Sequence, residues 1–139
     1  MGNREVVVVV ERFGDFRDLR IWQQCRDIRG RIWEMTRAFP REETYRLVDQ
    51  MVRASRSAGN CIAEGYGRFH YQENIQFCRH SRGSLTELID HVLIAQECHY
   101  IDPPTHDSLI TDIKSTIKSI NSYIKYLQNE KNNTSNLKG

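Results

Sequence analysis

The stretch Ile110-Thr111-Asp112-Ile113-Lys114-Ser115-Thr116-Ile117-Lys118-Ser119-Ile120-Asn121-Ser122-Tyr123-Ile124-Lys125-Tyr126-Leu127 decides the fold. Its apolar residues Ile110, Ile113, Ile117, Ile120, Ile124 and Leu127 alternate steps of three and four. That repeat of about 3.5 residues is the pattern of helices packed in a left-handed bundle or coiled coil. Beyond Leu127 the run Gln128-Asn129-Glu130-Lys131-Asn132-Asn133-Thr134-Ser135-Asn136 offers nothing apolar to bury, so a disordered tail is expected over 128–139.

Three more helical patterns precede it. The first spans about Asp18 to Ala38, with Leu19, Trp22, Cys25, Ile28, Ile32, Met35 and Phe39 as its stripe. Asp15 or Asp18 is placed to cap it, and Phe39-Pro40 stops it, because the residue before proline avoids the helical basin. The second spans about Glu42 to Gly65, with Tyr45, Val48, Met51, Val52, Ser55, Ala58, Ile62 and Tyr66 on one side. Gly65 and Gly67 are expected to end it in the left-handed conformation. The third covers about Tyr71 to Tyr100, striped by Ile75, Cys78, Leu85, Leu88, Val92 and Ala95, and ended by Asp102-Pro103-Pro104. Short connections leave only antiparallel neighbours, so the expected fold is all-α: an antiparallel up-down-up-down four-helix bundle over 16–127. Residues 1–15 form a separate N-terminal segment, whose Val6–Val10 run reads as an extended strand. A lone strand must pair, and another copy of the chain is one partner; an unstructured start is the other reading.

With 139 residues, 39% hydrophobic and 27% charged, the chain suits one globular domain rather than a collagen-like or low-complexity class. Five consecutive valines are too few for a membrane span or a secretory leader, so a cytoplasmic protein without a membrane partner is expected. A formal charge of +2 does not itself argue for nucleic acid. The basic residues are nonetheless segregated: all 15 arginines lie between Arg4 and Arg82, and all five lysines from Lys114 onward. Arginine suits bidentate contacts to phosphate or carboxylate and stacking on rings. Salt bridges to the 18 acidic residues are the plainer reading.

No familiar catalytic or metal-binding pattern is present. Cys25, Cys61, Cys78 and Cys98 form no C-x-x-C pair, and each sits on or beside an apolar stripe as a small hydrophobe. His70, His80, His91, His99 and His106 are scattered, and no Glu precedes a His by three residues as a di-iron bundle requires. Glu87 and His91 are four apart, enough for a side-chain contact. Phosphate-binding loops, serine elbows and H-E-x-x-H are missing from the sequence. The expectation is a protein that is not an enzyme and takes no cofactor or metal.

Two polar surfaces carry the functional candidates. On the first helix Trp22, Arg26, Arg29, Trp33 and Arg37 share one stripe. Interleaved rings and guanidiniums stack on bases and bind phosphates, form protein–protein hot spots, or simply pack with arginine stems over indoles. On the second helix Arg53, Ser57, Asn60 and Glu64 share a face; a hairpin about Arg68–Phe69 puts Arg53 opposite Ser84 and within reach of Glu87. That stripe reads as a structural network joining helices two and three, with a ligand site as the alternative.

Four blocks also resemble a known family. They are Phe16-Arg17-Asp18-Leu19-Arg20-Ile21-Trp22-Gln23, Phe39-Pro40-Arg41-Glu42-Glu43, Asn60-Cys61-Ile62-Ala63-Glu64-Gly65-Tyr66-Gly67-Arg68 and Phe77-Cys78-Arg79-His80-Ser81-Arg82-Gly83-Ser84-Leu85-Thr86-Glu87-Leu88. In that order they are similar to the bacterial 23S rRNA intervening-sequence proteins, over about Phe13 to Leu127. Gly59 departs from the Ser or Pro often found there, and the valine-rich start falls outside the pattern. The resemblance implies an up-down four-helix bundle assembled as a homopentamer, with no catalytic residue to carry over. A related branch, the accessory variability determinants of diversity-generating retroelements, binds nucleic acid and a reverse transcriptase. The expected function is therefore binding of structured RNA or DNA by an oligomer, with a protein adaptor, such as a reverse-transcriptase accessory protein, as the alternative. Candidate nucleic-acid contacts are Arg20, Arg26, Arg29, Arg31, Arg37, Arg53 and Arg56. Asn60, Glu64, Gly65, Arg82, Ser84 and Glu87 are candidates for structural roles, and Trp22 and Trp33 for the oligomer interface.

Overall fold

The computed structural model describes residues 15–138, so the Val6–Val10 strand expectation lies outside the described residues. Four α-helices make the fold: α1 Arg20–Thr36, α2 Leu47–Gly67, α3 Tyr71–Glu97 and α4 Pro103–Lys138, with no strand among the described residues. Short 3₁₀ turns, Phe16–Asp18 and Arg41–Glu43, precede α1 and α2. Asp15 caps the first turn through Arg17 N–H rather than capping α1 itself.

The start of α4 follows directly from its sequence. Asp102 accepts from Thr105 N–H at 2.8 Å, and Pro103 and Pro104 occupy positions where the missing N–H costs nothing. Asp102-Pro103-Pro104 thus begins α4, while α3 has already stopped at Glu97. There His99 adopts φ 63°, Tyr100 N–H reaches Ala95 O and His99 N–H reaches Gln96 O, both at 2.9 Å. That is a Schellman ending built without glycine.

The expected glycine stop of α2 is likewise corrected. Neither Gly65 nor Gly67 has positive φ; the helix runs on through Gly67, and Phe69 takes φ 60°. Gly65 serves packing instead, since a Cβ there would come 2.8 Å from Phe77 Cβ and from Asn74 Oδ1. The tail expectation also differs from the structure: α4 continues to Lys138. Extending an existing helix is far easier than nucleating one, and Lys131 Nζ donates to Gln72 Oε1 of α3 at 2.6 Å.

Each helix contributes a buried stripe: Ile21, Cys25, Ile28 and Ile32 from α1; Met51, Ala54, Ala58 and Ile62 from α2; Ile75, Cys78, Leu85, Leu88 and Val92 from α3; Leu109, Ile113, Ile120, Ile124 and Leu127 from α4. Small residues set the closest approach. Ser81 Oγ of α3 donates to Ala58 O at 2.7 Å, and Ser57 and Ser84 hydroxyls meet at 2.9 Å. On the other side of α2, Gly59 faces Trp22 and Cys25 of α1. Arg82 reaches Asn121 of α4 at 2.8 Å, and Arg31 of α1 reaches Asp112 of α4 at 2.6 Å. Tyr100 Oη donates to Glu43 at 2.7 Å, tying the α3–α4 link to the α1–α2 link.

Candidate functional site

The outward edge of α1 meets α2 in an open hollow of about 270 Å³ lined by Arg29, Gly30, Trp33, Val52, Ser55 and Arg56. Helical periodicity explains the composition. Ile28 and Ile32 turn into the core, which leaves Arg29 and Trp33 on the adjoining face beside α2. Trp33 is 49% exposed, an unusual state for so large an apolar ring. The Arg56 guanidinium lies 5.7 Å from its centroid. Gly30 leaves the floor open, since nothing would lie within 4 Å of a Cβ there.

About three turns earlier than Trp33, Trp22 is half-buried against the core, with Phe16 edge-on at 5.3 Å and Arg26 and Arg29 at 5.6 and 5.8 Å from its ring. The two indoles therefore differ: Trp22 is already covered by its own chain, and Trp33 presents a free face.

The seven candidate arginines do not act as one surface. Arg29 and Arg56 line the hollow and have no acidic partner among the described residues. Arg26 lies against Trp22 outside the hollow, paired with Asp27 at 3.2 Å. Arg31 turns towards α4 and Asp112. Arg37 pairs with Glu34 at 3.7 Å, and Arg20 borders a separate hollow with Ser119, Ser122 and Tyr123.

The expected α2–α3 network is smaller than its sequence spacing suggested. Ser57, not Arg53, meets Ser84. Arg53 is exposed and pairs with Asp49 at 3.6 Å, and Glu87 contacts His91 at 3.2 Å within its own helix. Glu64 is exposed beside Arg68 at 3.7 Å, and Asn60 is exposed as well. The error is one helical turn: registering the hairpin at Arg68–Phe69 placed α3 a turn out of step with α2. Arg82 and Gly65 do join helices, through Asn121 and through close contact with Phe77.

Three of the four thiols, Cys25, Cys61 and Cys78, are unsuited to nucleophilic work, while Cys98 is exposed. Burial pushes Cys25 and Cys78 up to about 12 and raises half-buried Cys61. Among the described residues no group of three or more His, Cys, Asp or Glu side chains is placed to hold a metal ion. No helix among them is long and apolar enough to cross a membrane. Sequence spacing missed Val52 and Ser55 as lining groups, because both come from the helix opposite the Trp–Arg stripe. It also missed a second basic hollow, where Arg79 of α3 joins Lys125 and Lys131 of α4, because no local periodicity links those positions.

No curated protein is significantly similar to the chain. Residues 17–122 match the family described as 23S rRNA-intervening sequence protein, a span from the turn before α1 to the middle of α4 that includes the Trp33 hollow and, apart from Phe16, the four blocks noted in the sequence. The chain belongs to the 23S rRNA-intervening sequence protein family.

Proposed function

We propose that this protein is a non-enzymatic, cytoplasmic oligomer that binds structured RNA or DNA through the α1–α2 hollow. One observation carries the reading: Arg29 and Arg56, both without an acidic partner among the described residues, flank the exposed ring of Trp33. An indole face stacks on an unpaired base, and the guanidiniums of Arg29 and Arg56, which lie against Trp22 and Trp33 without an acidic partner among the described residues, hold the adjoining phosphates. A protein interface would use the same ring and guanidiniums, and the steep salt dependence expected of phosphate contacts is what separates the two readings.

The cross-helix contacts support an antiparallel up-down-up-down bundle, because partners run in opposite sequence order. Ser57 pairs with Ser84 while Gly65 faces Asn74, and Arg82 pairs with Asn121 while Gln72 pairs with Lys131. Each subunit has a formal charge of only +2, so a homopentameric ring that gathers the hollows gives the field that one copy lacks. In this reading Trp33 belongs to the nucleic-acid surface and Trp22 to the core, and other faces join the subunits. Four unbridged cysteines accord with a reducing compartment.

Fluorescence anisotropy with a labelled RNA hairpin carrying an unpaired loop tests the reading. Binding near ~50 mM salt, weakening steeply as salt rises and at least tenfold in Arg29→Gln/Arg56→Gln, is expected. No binding of RNA or DNA near that salt sinks it. If Trp33→Glu instead halves or further reduces the mass of the assembly, the hollow is a subunit contact.

A further inference from the structure

On a different pair of helices, α3 and α4 enclose a second hollow of about 390 Å³, lined by Gln72, Ile75, Arg79, Lys125, Gln128, Asn129, Lys131 and Asn132. Three of these side chains are cations and none is a carboxylate. Arg79 is held by Gln76 Oε1 at 2.9 Å and Lys131 by Gln72 Oε1 at 2.6 Å, so neutral amides aim both charges without cancelling them. Lys125 has neither a hydrogen-bond partner nor an acidic one among the described residues. Arg31, Arg37, Arg53 and Arg68, by contrast, each have an acid within 4.0 Å. Three like charges gathered around one concavity repel one another, and none of the described residues lining it supplies an anion to relieve them.

The lining also says which anion. Among the described residues no aromatic ring lines this hollow, so its lining offers nothing on which a base could stack. Its amides donate and accept at neutral charge, which suits phosphate oxygens and ribose hydroxyls. Ammonium groups act as point charges on phosphate without demanding a fixed geometry. The hollow lies where α4 extends past the last isoleucine of its stripe, so the polar segment after Leu127 forms one wall.

We infer that the Arg79–Lys125–Lys131 hollow is a sequence-independent seat for the phosphate backbone of a nucleic acid, separate from the base-stacking hollow at Trp33. The inference rests on the nucleic-acid reading above. The two sites divide the work: Trp33 with Arg29 and Arg56 takes an unpaired base, and the α3–α4 seat tracks the strand.

The test is the salt dependence of binding, measured on the full chain with a labelled single-stranded RNA. Each phosphate contact released lowers the slope of log K against log salt by about 0.7 for a single strand. Lys125→Gln/Lys131→Gln is therefore expected to reduce the slope by about 1.4 and to weaken binding of unrelated sequences equally. The charge-preserving Lys125→Arg/Lys131→Arg is expected to keep the wild-type slope, and Trp33→Ala to lower affinity with the slope unchanged. Both lysines are exposed, and an unaltered melting temperature confirms that each variant folds. A wild-type slope in the double glutamine variant, with RNA still bound, overturns this seat and leaves the Trp33 reading standing. Absence of binding by the wild type to RNA and to DNA overturns both.

Discussion

His99 and Phe69 hold left-handed backbone with full side chains, at φ 63° and 60°, where glycine is at ease. That conformation costs an L-residue about 1–2 kcal/mol, so His99→Gly is expected to raise the thermal midpoint through the Schellman ending of α3. Thermal denaturation followed by circular dichroism measures it, and a lower midpoint contradicts the cap assignment. Gly65 obeys the opposite rule. A Cβ there would collide with Phe77 and Asn74, so Gly65→Ala is expected to destabilise by about 1–3 kcal/mol. Gly59→Ala meets Trp22 and Cys25 only at ordinary contact distances of 3.6–3.9 Å and gains helix propensity, so it is expected to be neutral or stabilising. The buried thiols of Cys25 and Cys78 keep their protons up to about 12, whereas in the unfolded chain they ionise near ~8.5. Their folded pKa is the raised one, so the stability they contribute is complete below about 8.5 and is lost as pH rises towards 12. Denaturant midpoints should therefore fall between pH 8 and 10, and fall less in Cys78→Ala; a flat profile over that interval contradicts the burial of these thiols.

Along α4 the isoleucine repeat located the helix but not the phase of its buried face. Ile113, Ile120, Ile124 and Leu127 are buried as the spacing implies, yet Ile110 and Ile117 are only half-buried while Leu109 and Thr116 take the interior. Hydropathy alone cannot see that Thr116 Oγ1 donates to Asp112 O at 2.9 Å, which lets a hydroxyl sit in the core already satisfied. Ile113→Ala is expected to cost about 2–5 kcal/mol and Ile117→Ala distinctly less, by denaturant unfolding. Equal losses contradict the observed phase. The same limit explains the tail: polar residues after Leu127 predict nothing to bury, but the contact that engages Lys131 comes from Gln72 on another helix. It explains the α2 stripe too. Periodicity correctly grouped Arg53, Ser57, Asn60 and Glu64 on one face, but only Ser57 faces α3, and the others are exposed on the solvent side. Glu64→Ala removes an exposed pair within one helix, so its expected effect is only a few tenths of a kcal/mol.

Across the whole molecule, the segregation of arginine and lysine visible in the sequence becomes two basic hollows on different helix pairs, Arg29–Trp33–Arg56 and Arg79–Lys125–Lys131. The first was half legible, because Arg29 and Trp33 share a helical stripe and Arg56 comes from the helix packed beside it. Which arginines were paired was legible only in part: Glu34–Arg37 and Asp49–Arg53 are three and four apart on one helix, whereas Asp112 claims Arg31 only once the chain has folded. Light scattering checks the assembly: a ring is expected, and a mass near 16.4 kDa at micromolar concentration contradicts it. The most direct test of the central claim is the affinity of the purified protein for a labelled RNA hairpin with an unpaired loop, wild type against Arg29→Gln/Arg56→Gln, near ~50 mM salt. The account predicts that the wild type binds and the double variant binds at least tenfold more weakly with its oligomeric mass unchanged; equal affinity for the two proteins contradicts it.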